Sequence, residues 1–467
     1  MATKPRVAVI GAGFGGVGAA VALRAEGADV VVLERGDDVG GVWRDNTYPG
    51  AACDVPSHLY SFSFAPDHRW SRRFAPQRDI LDHLRQVVDD HGLRGALRLR
   101  TEVTEARFDD QRALWRLTTA AGDVVEAEVL VAACGQLTAP ARPDVPGIDA
   151  FRGRVLHSAR WDPTVDLRGR HVAVVGTGAS AVQIVPAIAD DVAHLTVFQR
   201  SAEYVVPKPD RRYTALHRAL FRHVPGWPRL ARRLLIATFE RVGAVPVAPA
   251  GTPFQMAFRA LLRARVPEAD LRTRLQPAHP VGVRRALVSS DYHRTLRRPH
   301  VDLVTAPIDE LTADGVRTAD GVVHPADVVV LATGFATARF LAPMKVFGRD
   351  GHELSEHWRD GARAHLGITV PGFPNLFLVH GPNTALRSGS VVHMIECQAG
   401  YVSQAVRRIA EGVRTLEVRR DVADVFDAEV QERLGAGPRR SVNDWPGTMR
   451  EYERRTAHLD DAEYLAT

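Results

Sequence analysis

The feature that most constrains the fold is a glycine-rich turn between a short apolar strand and a helix. The strand is RVAVI (6–10), the turn is GAGFGG (11–16), and the next strand, ADVVVLE, ends at Glu34. Gly11 permits a tight turn, Gly13 lets a pyrophosphate approach the backbone, and Gly16 lets helix and strand pack closely. Glu34 stands where a carboxylate can accept the hydroxyls of an adenosine ribose. The stretch therefore predicts a parallel βαβ unit that binds a dinucleotide.

The same pattern returns after residue 170, where the strand HVAVV precedes the turn GTGASA and the strand HLTVFQ follows. The turn residues that we expect at the cofactor are Gly176, Thr177, Gly178, Ala179, Ser180 and Ala181. Where the first unit has Glu34, the second has Arg200 and Ser201. A guanidinium beside a hydroxyl suits a 2′-phosphate, so we expect NADPH here. The alternative is that Arg200 is a surface charge after a strand.

Two complete units imply two dinucleotides, and the simplest partner for NADPH is FAD in the first unit, with hydride passing between them. Apolar strands at 129–136 and 328–335 are typical of returns to the first domain. We therefore expect an α/β fold with two Rossmann-like domains, the NADPH domain being inserted in the FAD domain. The expected divisions are 1–145 and 325–467 for the FAD domain, 146–165 for a linker, and 166–324 for the NADPH domain.

Composition argues against several other classes of protein. No apolar run in the 467 residues approaches the roughly 18 needed to span a bilayer. A strand follows the N-terminus almost at once, so we expect no signal peptide and a cytoplasmic location. Three scattered cysteines predict neither a disulfide framework nor a metal site. The net charge of +5 suits anionic cofactors, and no nucleic-acid-binding motif is present.

Two further stretches resemble the Baeyer–Villiger monooxygenases, a family of flavoproteins that use two dinucleotides. GGVWRDNTYPGAACD (40–54) is similar to one family motif, and FRGRVLHSARWD (151–162) is similar to the family fingerprint. The fixed positions of that fingerprint are Phe151, Gly153, His157, Trp161 and Asp162. The segments 281–293 and 381–396 look most like the hydroxyacetophenone monooxygenase branch. The resemblance covers nearly the whole chain.

The resemblance implies an FAD- and NADPH-dependent monooxygenase that uses O2 through a flavin C4a-peroxide. It places a catalytic, desolvated Arg285 beside that peroxide, with Asp54 paired to it, and Arg284 with Arg200 on the NADPH 2′-phosphate. Without the resemblance, Arg285 would be a surface arginine and Asp54 a turn or helix cap. The residues it places at FAD, besides the first turn, are Gly41, Val42, Trp43, Asp45, Cys53, Tyr60, Val103, Asn383 and Leu386. Trp43 and Tyr60 could equally be core aromatics.

The fingerprint segment lies between the two domains, so we expect a linker in which His157 and Trp161 are buried, hydrogen-bonded hinge residues. The stretch 211–274 is basic and helical in pattern. We expect it to be an insertion in the NADPH domain that covers the substrate pocket. An amphipathic surface for membrane docking is the weaker alternative.

The expected reaction is the oxidation of a ketone to an ester or lactone, with the ketone and O2 as small-molecule substrates. The alternative is oxygenation of a sulfur or amine nitrogen by a related flavin monooxygenase. A flavin disulfide reductase would need two neighbouring cysteines, and Cys53, Cys134 and Cys397 are isolated in sequence. Arg387 and His293 depart from the family pattern near the expected substrate pocket. The substrate, the regiochemistry and the oligomeric state stay open at this point.

Overall fold

The computed structural model describes residues 4–243, 252–435 and 442–467. Two five-stranded sheets organise the chain, and every strand in each is parallel to its neighbours. In spatial order the first sheet contains Leu376–Leu378, Val129–Ala132, Arg6–Ile10, Asp29–Leu33 and Leu97–Arg98. The second contains Val301–Val304, His194–Phe198, His171–Val175, Val328–Leu331 and Arg154–His157. This arrangement confirms the predicted α/β class with two Rossmann-like domains.

Smaller sheets and pairs complete the strand structure. A four-stranded sheet contains Lys345–Phe347, Val103–Asp109, Leu114–Thr119 and Val124–Ala127, and a three-stranded sheet contains Ile308–Thr312, Gly315–Thr318 and Val323–Pro325. The pairs are Val205–Val206 with Leu287–Val288, Ala385–Leu386 with Asp444–Trp445, and Leu416–Val418 with Tyr464–Ala466.

The described residues contain thirteen α-helices. They are Phe14–Ala25, Val42–Asp45, Gln77–Asp90, Ala181–Ile188, Ala215–His223, Trp227–Gly243, Pro253–Arg265, Ala269–Arg274, Tyr292–Thr295, Leu354–His357, Val391–Ala410, Arg420–Leu434 and Met449–Arg455. Short 3-10 helices span Arg94–Ala96, Arg349–Gly351 and Asp461–Glu463. Among the residues described, no helix is both long and apolar enough to cross a membrane.

Strand pairing corrects two of the predicted boundaries. Val328–Leu331 pairs with His171–Val175 and Arg154–His157, so it belongs to the second sheet and the boundary predicted at 325 lies too early. The chain rejoins the first domain's strands at Lys345–Phe347 and the first sheet at Leu376–Leu378. The predicted linker 146–165 likewise contains an edge strand of the second sheet. A fully apolar strand does not by itself reveal which sheet it enters, because buried parallel strands share one pattern.

The 211–274 stretch is helical where it is described, but it does not belong to the NADPH domain alone. Leu235, Ile236 and Phe239 of helix Trp227–Gly243 pack against the core of the first domain. Phe258 and Leu262 of helix Pro253–Arg265 lie in the core of the second domain. The insertion therefore spans both domains. Of its predicted Gly/Pro-containing break, VAPAGTP (247–253), residues 247–251 lie outside the described residues, and Thr252 caps helix Pro253–Arg265, which begins at Pro253.

The outer face of the insertion leaves large apolar side chains uncovered. Leu230 and Leu234 are 48% and 60% exposed, and Arg229 and Arg233 directly precede them in sequence. The membrane-docking alternative therefore stays a hypothesis.

Candidate functional site: two dinucleotide cradles and the cleft between them

The first glycine turn is built so that only glycine fits at its tight positions. Gly11 has a φ of +98°, and a Cβ there would lie 2.6 Å from the carbonyl oxygen of Ala133. A Cβ on Gly16 would lie 1.7 Å from the carbonyl oxygen of Gly11, so helix and strand could not approach as they do. A Cβ on Gly13 would meet only the backbone of Gly41 within 4 Å. Gly13 therefore faces space, as the approach of a pyrophosphate to this backbone requires.

A cavity opens above this turn and contains most of the residues predicted for FAD. Those that line it are Gly11, Gly13, Glu34, Gly41, Val42, Asp45, Tyr60 and Val103. The N-terminus of helix Phe14–Ala25 points its free N–H groups toward the same space, which suits phosphate oxygens. The cavity and its donors therefore fit an FAD.

Glu34 is buried and carries more partners than the sequence suggested. Its carboxylate accepts from the backbone N–H groups of Ala12 and Gly36, both at 2.7 Å, and from Arg44 Nη1 at 2.8 Å. A carboxylate has about four acceptor sites, so one stays available for a ribose hydroxyl. Sequence reasoning missed Arg44, although it directly follows Trp43 in the family motif at 40–54, which we call the flavin motif.

Trp43 and Tyr60 contact each other rather than standing separately in the core. Trp43 Nε1 donates to the Tyr60 hydroxyl at 3.0 Å, and the rings meet edge to face at 5.6 Å between centroids. Tyr60 lines the cavity, and burial raises the pKa of its hydroxyl. Tyr60 therefore stays neutral and can accept from Trp43 while presenting its ring to the cavity.

Four residues that the resemblance placed at FAD do not line this cavity: Trp43, which reaches it only through Tyr60, and Cys53, Asn383 and Leu386. Asn383 is buried and donates to the backbone carbonyl of Asp444 at 3.1 Å, and Leu386 pairs in a short strand with Trp445. Both hold the C-terminal segment against the first domain. Cys53 is buried beside Asp54 and Arg285, and burial raises the pKa of its thiol.

The second glycine turn repeats the first. Gly176 has a φ of +115°, and a Cβ there would lie 2.5 Å from the carbonyl oxygen of Ala332. Gly178 has open space around it, and Ala179 is exposed, so the turn is accessible to a ligand. Ser180 and Ala181 begin helix Ala181–Ile188, whose N-terminus faces the turn. This geometry fits a second dinucleotide.

The residues predicted for the 2′-phosphate gather at the edge of this turn. Thr177 Oγ1 donates to the carbonyl of Ser201 at 3.0 Å, Arg284 Nη1 donates to Ser201 Oγ at 3.3 Å, and Arg200 is exposed beside them. The structure adds Glu203, which forms an ion pair with Arg284 and accepts from His279 at 3.1 Å. Because 81 residues separate Glu203 from Arg284, no local pattern signalled the pair.

Arg285 and Asp54 meet across the cleft between the domains. Arg285 Nε lies 3.0 Å from Asp54 Oδ2, although the two residues are far apart in sequence. Their side chains are 37% and 36% exposed, so the expectation of a desolvated arginine is wrong for this arrangement. The reason is that Arg285 stands on the loop before Leu287–Val288, at the open edge of the cleft. Lys208 lines a neighbouring pocket together with Gln183, and burial lowers the pKa of its ammonium.

Gln183 connects the two domains directly, and no motif in the sequence indicated this role. Its Oε1 accepts from the Tyr48 hydroxyl at 3.0 Å, and its Nε2 donates to the carbonyl of Ala52 at 2.9 Å. A Cβ on Gly50 would lie 2.6 Å from the carbonyl of Gln183. The flavin-motif loop at 48–52 therefore packs closely against the helix that follows the second glycine turn.

The fingerprint segment lies beside both cradles without entering the first cavity. His157 is buried, its Nδ1 accepts from the N–H of Ala159 at 3.1 Å, and its Nε2 lies 3.4 Å from Thr333 Oγ1. Trp161, which we expected to be buried, is only half-buried, because it packs at the periphery of the hydrophobic core of the second domain. Arg160 Nη1 lies 3.8 Å from Asp45 Oδ2, and so connects the segment to the flavin motif.

The two glycine turns with their parallel sheets form two dinucleotide sites, which we call cradles, and Gln183 connects the domains that carry them. Two such sites in one chain are typical of a flavoprotein oxidoreductase that uses two dinucleotides. Comparison with known proteins identifies the family within this class. The family model described as pyridine nucleotide-disulphide oxidoreductase matches residues 8–217. The chain is 43% identical to a Baeyer–Villiger monooxygenase of Streptomyces coelicolor, over 98% of this chain and 92% of that one. It is 33% identical to a phenazine N-monooxygenase of Lysobacter antibioticus, over 91% and 86% of the two chains.

A solved structure supports the same assignment along the whole chain. An oxidised steroid monooxygenase bound to NADP superposes with a TM-score of 0.89 at 30% identity, covering 99% of each chain. The chain belongs to the Baeyer–Villiger monooxygenase family of FAD- and NADPH-dependent flavoproteins. It is a monooxygenase.

Proposed function

We propose that this enzyme inserts one oxygen atom of O2 beside the carbonyl of a ketone and releases an ester or lactone. The observation that carries the proposal is the ion pair between Arg285 and Asp54 at the cleft between the two cradles. When bound, FAD takes a hydride from NADPH and activates O2 for the transfer of one oxygen atom. The chain's own residues bind the two dinucleotides and place a fixed positive charge at the reacting centre.

Arg285 is suited to this charge because a guanidinium does not lose its proton in proteins. Asp54 holds Nε, and Arg285 has no second carboxylate partner among the described residues. Negative charge develops on the ketone oxygen as the new bond forms. A unit charge about 4 Å away, at an effective dielectric constant near 20, stabilises it by about 4 kcal/mol, and by only about 1 kcal/mol in water. The proposal therefore requires that the cleft closes over Arg285 during turnover.

Oxygenation of a nitrogen or sulfur atom is the second candidate. The exposure of Arg285 favours it, because a soft nucleophile needs no anion-stabilising cation, and one relative is named an N-monooxygenase. Disulfide reduction is not supported, because all three cysteines are free and burial raises the pKa of each thiol. Free thiols also agree with the reducing cytoplasm that we propose as its location.

Product analysis separates the two candidates. Purified enzyme with NADPH and air is offered a ketone, a sulfide and a tertiary amine in parallel, and each product is identified by mass. We expect ester from the ketone, with NADPH consumption rising with ketone concentration. Sulfoxide and N-oxide formed without any ester would overturn the ketone assignment and support the second candidate.

A further inference from the structure

Arg232 is a buried arginine that the reaction described above does not use. It lies on helix Trp227–Gly243 of the insertion, and only 9% of the residue is exposed. Its Nη1 donates to the carbonyls of Ser61 at 2.5 Å and Leu59 at 3.3 Å. Its Nη2 donates to Glu396 Oε2 at 2.5 Å. A buried charge is tolerated only when it is paired in this way, so the position is specific for arginine.

The three acceptors all belong to elements that form the flavin cavity. Leu59 and Ser61 flank Tyr60, whose ring lines the cavity and whose hydroxyl accepts from Trp43. Glu396 follows Ile395, which also lines the cavity, on helix Val391–Ala410.

Glu396 also contacts the backbone of the Tyr60 segment. Its Oε1 accepts from the backbone N–H of Ser63 at 2.6 Å, while its Oε2 accepts from Arg232. The Tyr60 segment is therefore held at three backbone groups, those of Leu59, Ser61 and Ser63, by one buried ion pair.

Attachment of the insertion does not account for these contacts. Leu235, Ile236 and Phe239 already bury the same helix against the first core. Arg233, the next residue, is exposed and forms no ion pair among the described residues. The guanidinium of Arg232 is instead directed at the backbone on both sides of one aromatic residue.

We propose that Arg232 is a positioning residue for the bound flavin: it fixes the backbone on both sides of Tyr60 and thereby sets the place of the Tyr60 ring in the flavin cavity. The inference rests on the proposed function only for the assignment of the first cradle to FAD. It makes the insertion part of the flavin environment, although the insertion follows the second glycine turn in sequence.

The test compares Arg232→Met, Arg232→Lys and the matched control Arg233→Met as purified holoenzymes. Two properties are measured without turnover: the FAD released on dilution, and the visible absorption and fluorescence of the flavin that stays bound. In Arg232→Met we expect the dissociation constant of FAD to rise about tenfold, which corresponds to about 1.4 kcal/mol. The bound flavin should fluoresce more, because a displaced aromatic ring quenches it less. Arg233→Met should match the wild type.

If the methionine variant does not fold, Arg232→Lys still distinguishes a positioning role of Arg232 from a purely structural one. A lysine can pair with Glu396 but lacks the planar fork that reaches two carbonyls, so we expect an intermediate FAD affinity and an altered flavin spectrum. Wild-type affinity and spectrum in either folded Arg232 variant, even with a lower melting temperature, would show a purely structural role. The same loss in Arg233→Met would also overturn the inference. Because no ketone is present, failure of the ketone assay in the wild type would refute the proposed function alone.

Discussion

At the scale of single residues, the site contains two kinds of interacting side-chain pair. A family motif can identify the first kind from sequence, whereas the second kind becomes visible only in the folded structure. The resemblance put Asp54 and Arg285 together, and the structure has them 3.0 Å apart. It could not give their exposure, which depends on the width of the cleft. Glu203 could not be predicted, because its partner Arg284 lies 81 residues away in sequence. Arg44 could have been found from its place directly after Trp43 in the motif at 40–54.

The 2′-phosphate site leads to a prediction about cofactor choice. Arg200 is exposed and has no acidic partner among the described residues, so it is available for the phosphate. Arg200→Ala should raise the KM for NADPH about tenfold or more, because a charge-assisted contact contributes roughly 1.5–3 kcal/mol. The KM for NADH, which lacks that phosphate, should stay unchanged in the same variant. Equal changes for both nucleotides would contradict this role.

Substitution of Glu203 should change the KM for NADPH in the opposite direction to substitution of Arg200. It forms an ion pair with Arg284 and so competes with a phosphate for that guanidinium. Glu203→Gln removes the competing charge at nearly constant volume and should lower the KM for NADPH. Steady-state kinetics that show a higher KM would instead mean that Glu203 orients Arg284 toward the phosphate.

At the scale of elements, the strands of the two βαβ units were predictable because each joins an apolar run to a diagnostic turn. Val328–Leu331 was assigned to the wrong sheet, because its sequence is equally compatible with both. The helical insertion was predictable as helical, but the packing of helix Trp227–Gly243 on the first core was not. The spacing of its apolar residues indicates that one face of the helix is buried, but it does not indicate which domain covers that face.

Helix Ala215–His223 is held to the first domain by a stack of rings that depends on neutral histidines. His58 stacks on Phe221 at 3.6 Å between ring centroids, and its Nε2 lies 3.1 Å from Nε2 of His217. Burial, with the neighbouring His217, lowers the pKa of His58 to about 3, and Asp67 opposes this shift. Burial also lowers the pKa of His217.

This stack predicts a loss of stability in acid. The unfolded chain takes up a proton at His58 below about pH 6.5, and the folded chain does so only near pH 3, so the contribution falls by about 1.4 kcal/mol per pH unit between these values. His58→Phe keeps the ring and removes the titration. Urea unfolding should therefore show a weaker loss of stability in this variant than in wild type as the pH falls from 6.5 to 4.5. His458→Phe, at an exposed position, is the control, and it should follow the wild type. Parallel curves for wild type and His58→Phe would exclude the stack as a source of acid sensitivity.

At the scale of the whole molecule, the loop at 48–52 and the insertion both connect the two domains. Gln183 joins the second cradle's helix to the loop at 48–52, and Arg232 joins the insertion to the segment around Tyr60. The flavin-motif loop and the Tyr60 segment are therefore each in contact with residues that follow the second glycine turn in sequence. The motifs indicated two domains and their order, whereas the contacts that join them depend on single side chains that no motif includes.

Isotopically labelled O2 tests whether Arg285 supports the insertion of an oxygen atom beside the carbonyl of a ketone. Wild-type enzyme, NADPH and a ketone are incubated under ¹⁸O2, with Arg285→Ala in parallel, and the ester is analysed by mass. Anaerobic reduction of the flavin by NADPH is followed in both proteins to show that hydride transfer survives the substitution. We expect one labelled oxygen in the wild-type ester and a roughly hundredfold slower formation of ester in Arg285→Ala, the scale on which loss of one group that stabilises a developing anion acts. Unlabelled ester, or labelled ester formed at the wild-type rate by Arg285→Ala, would contradict the account.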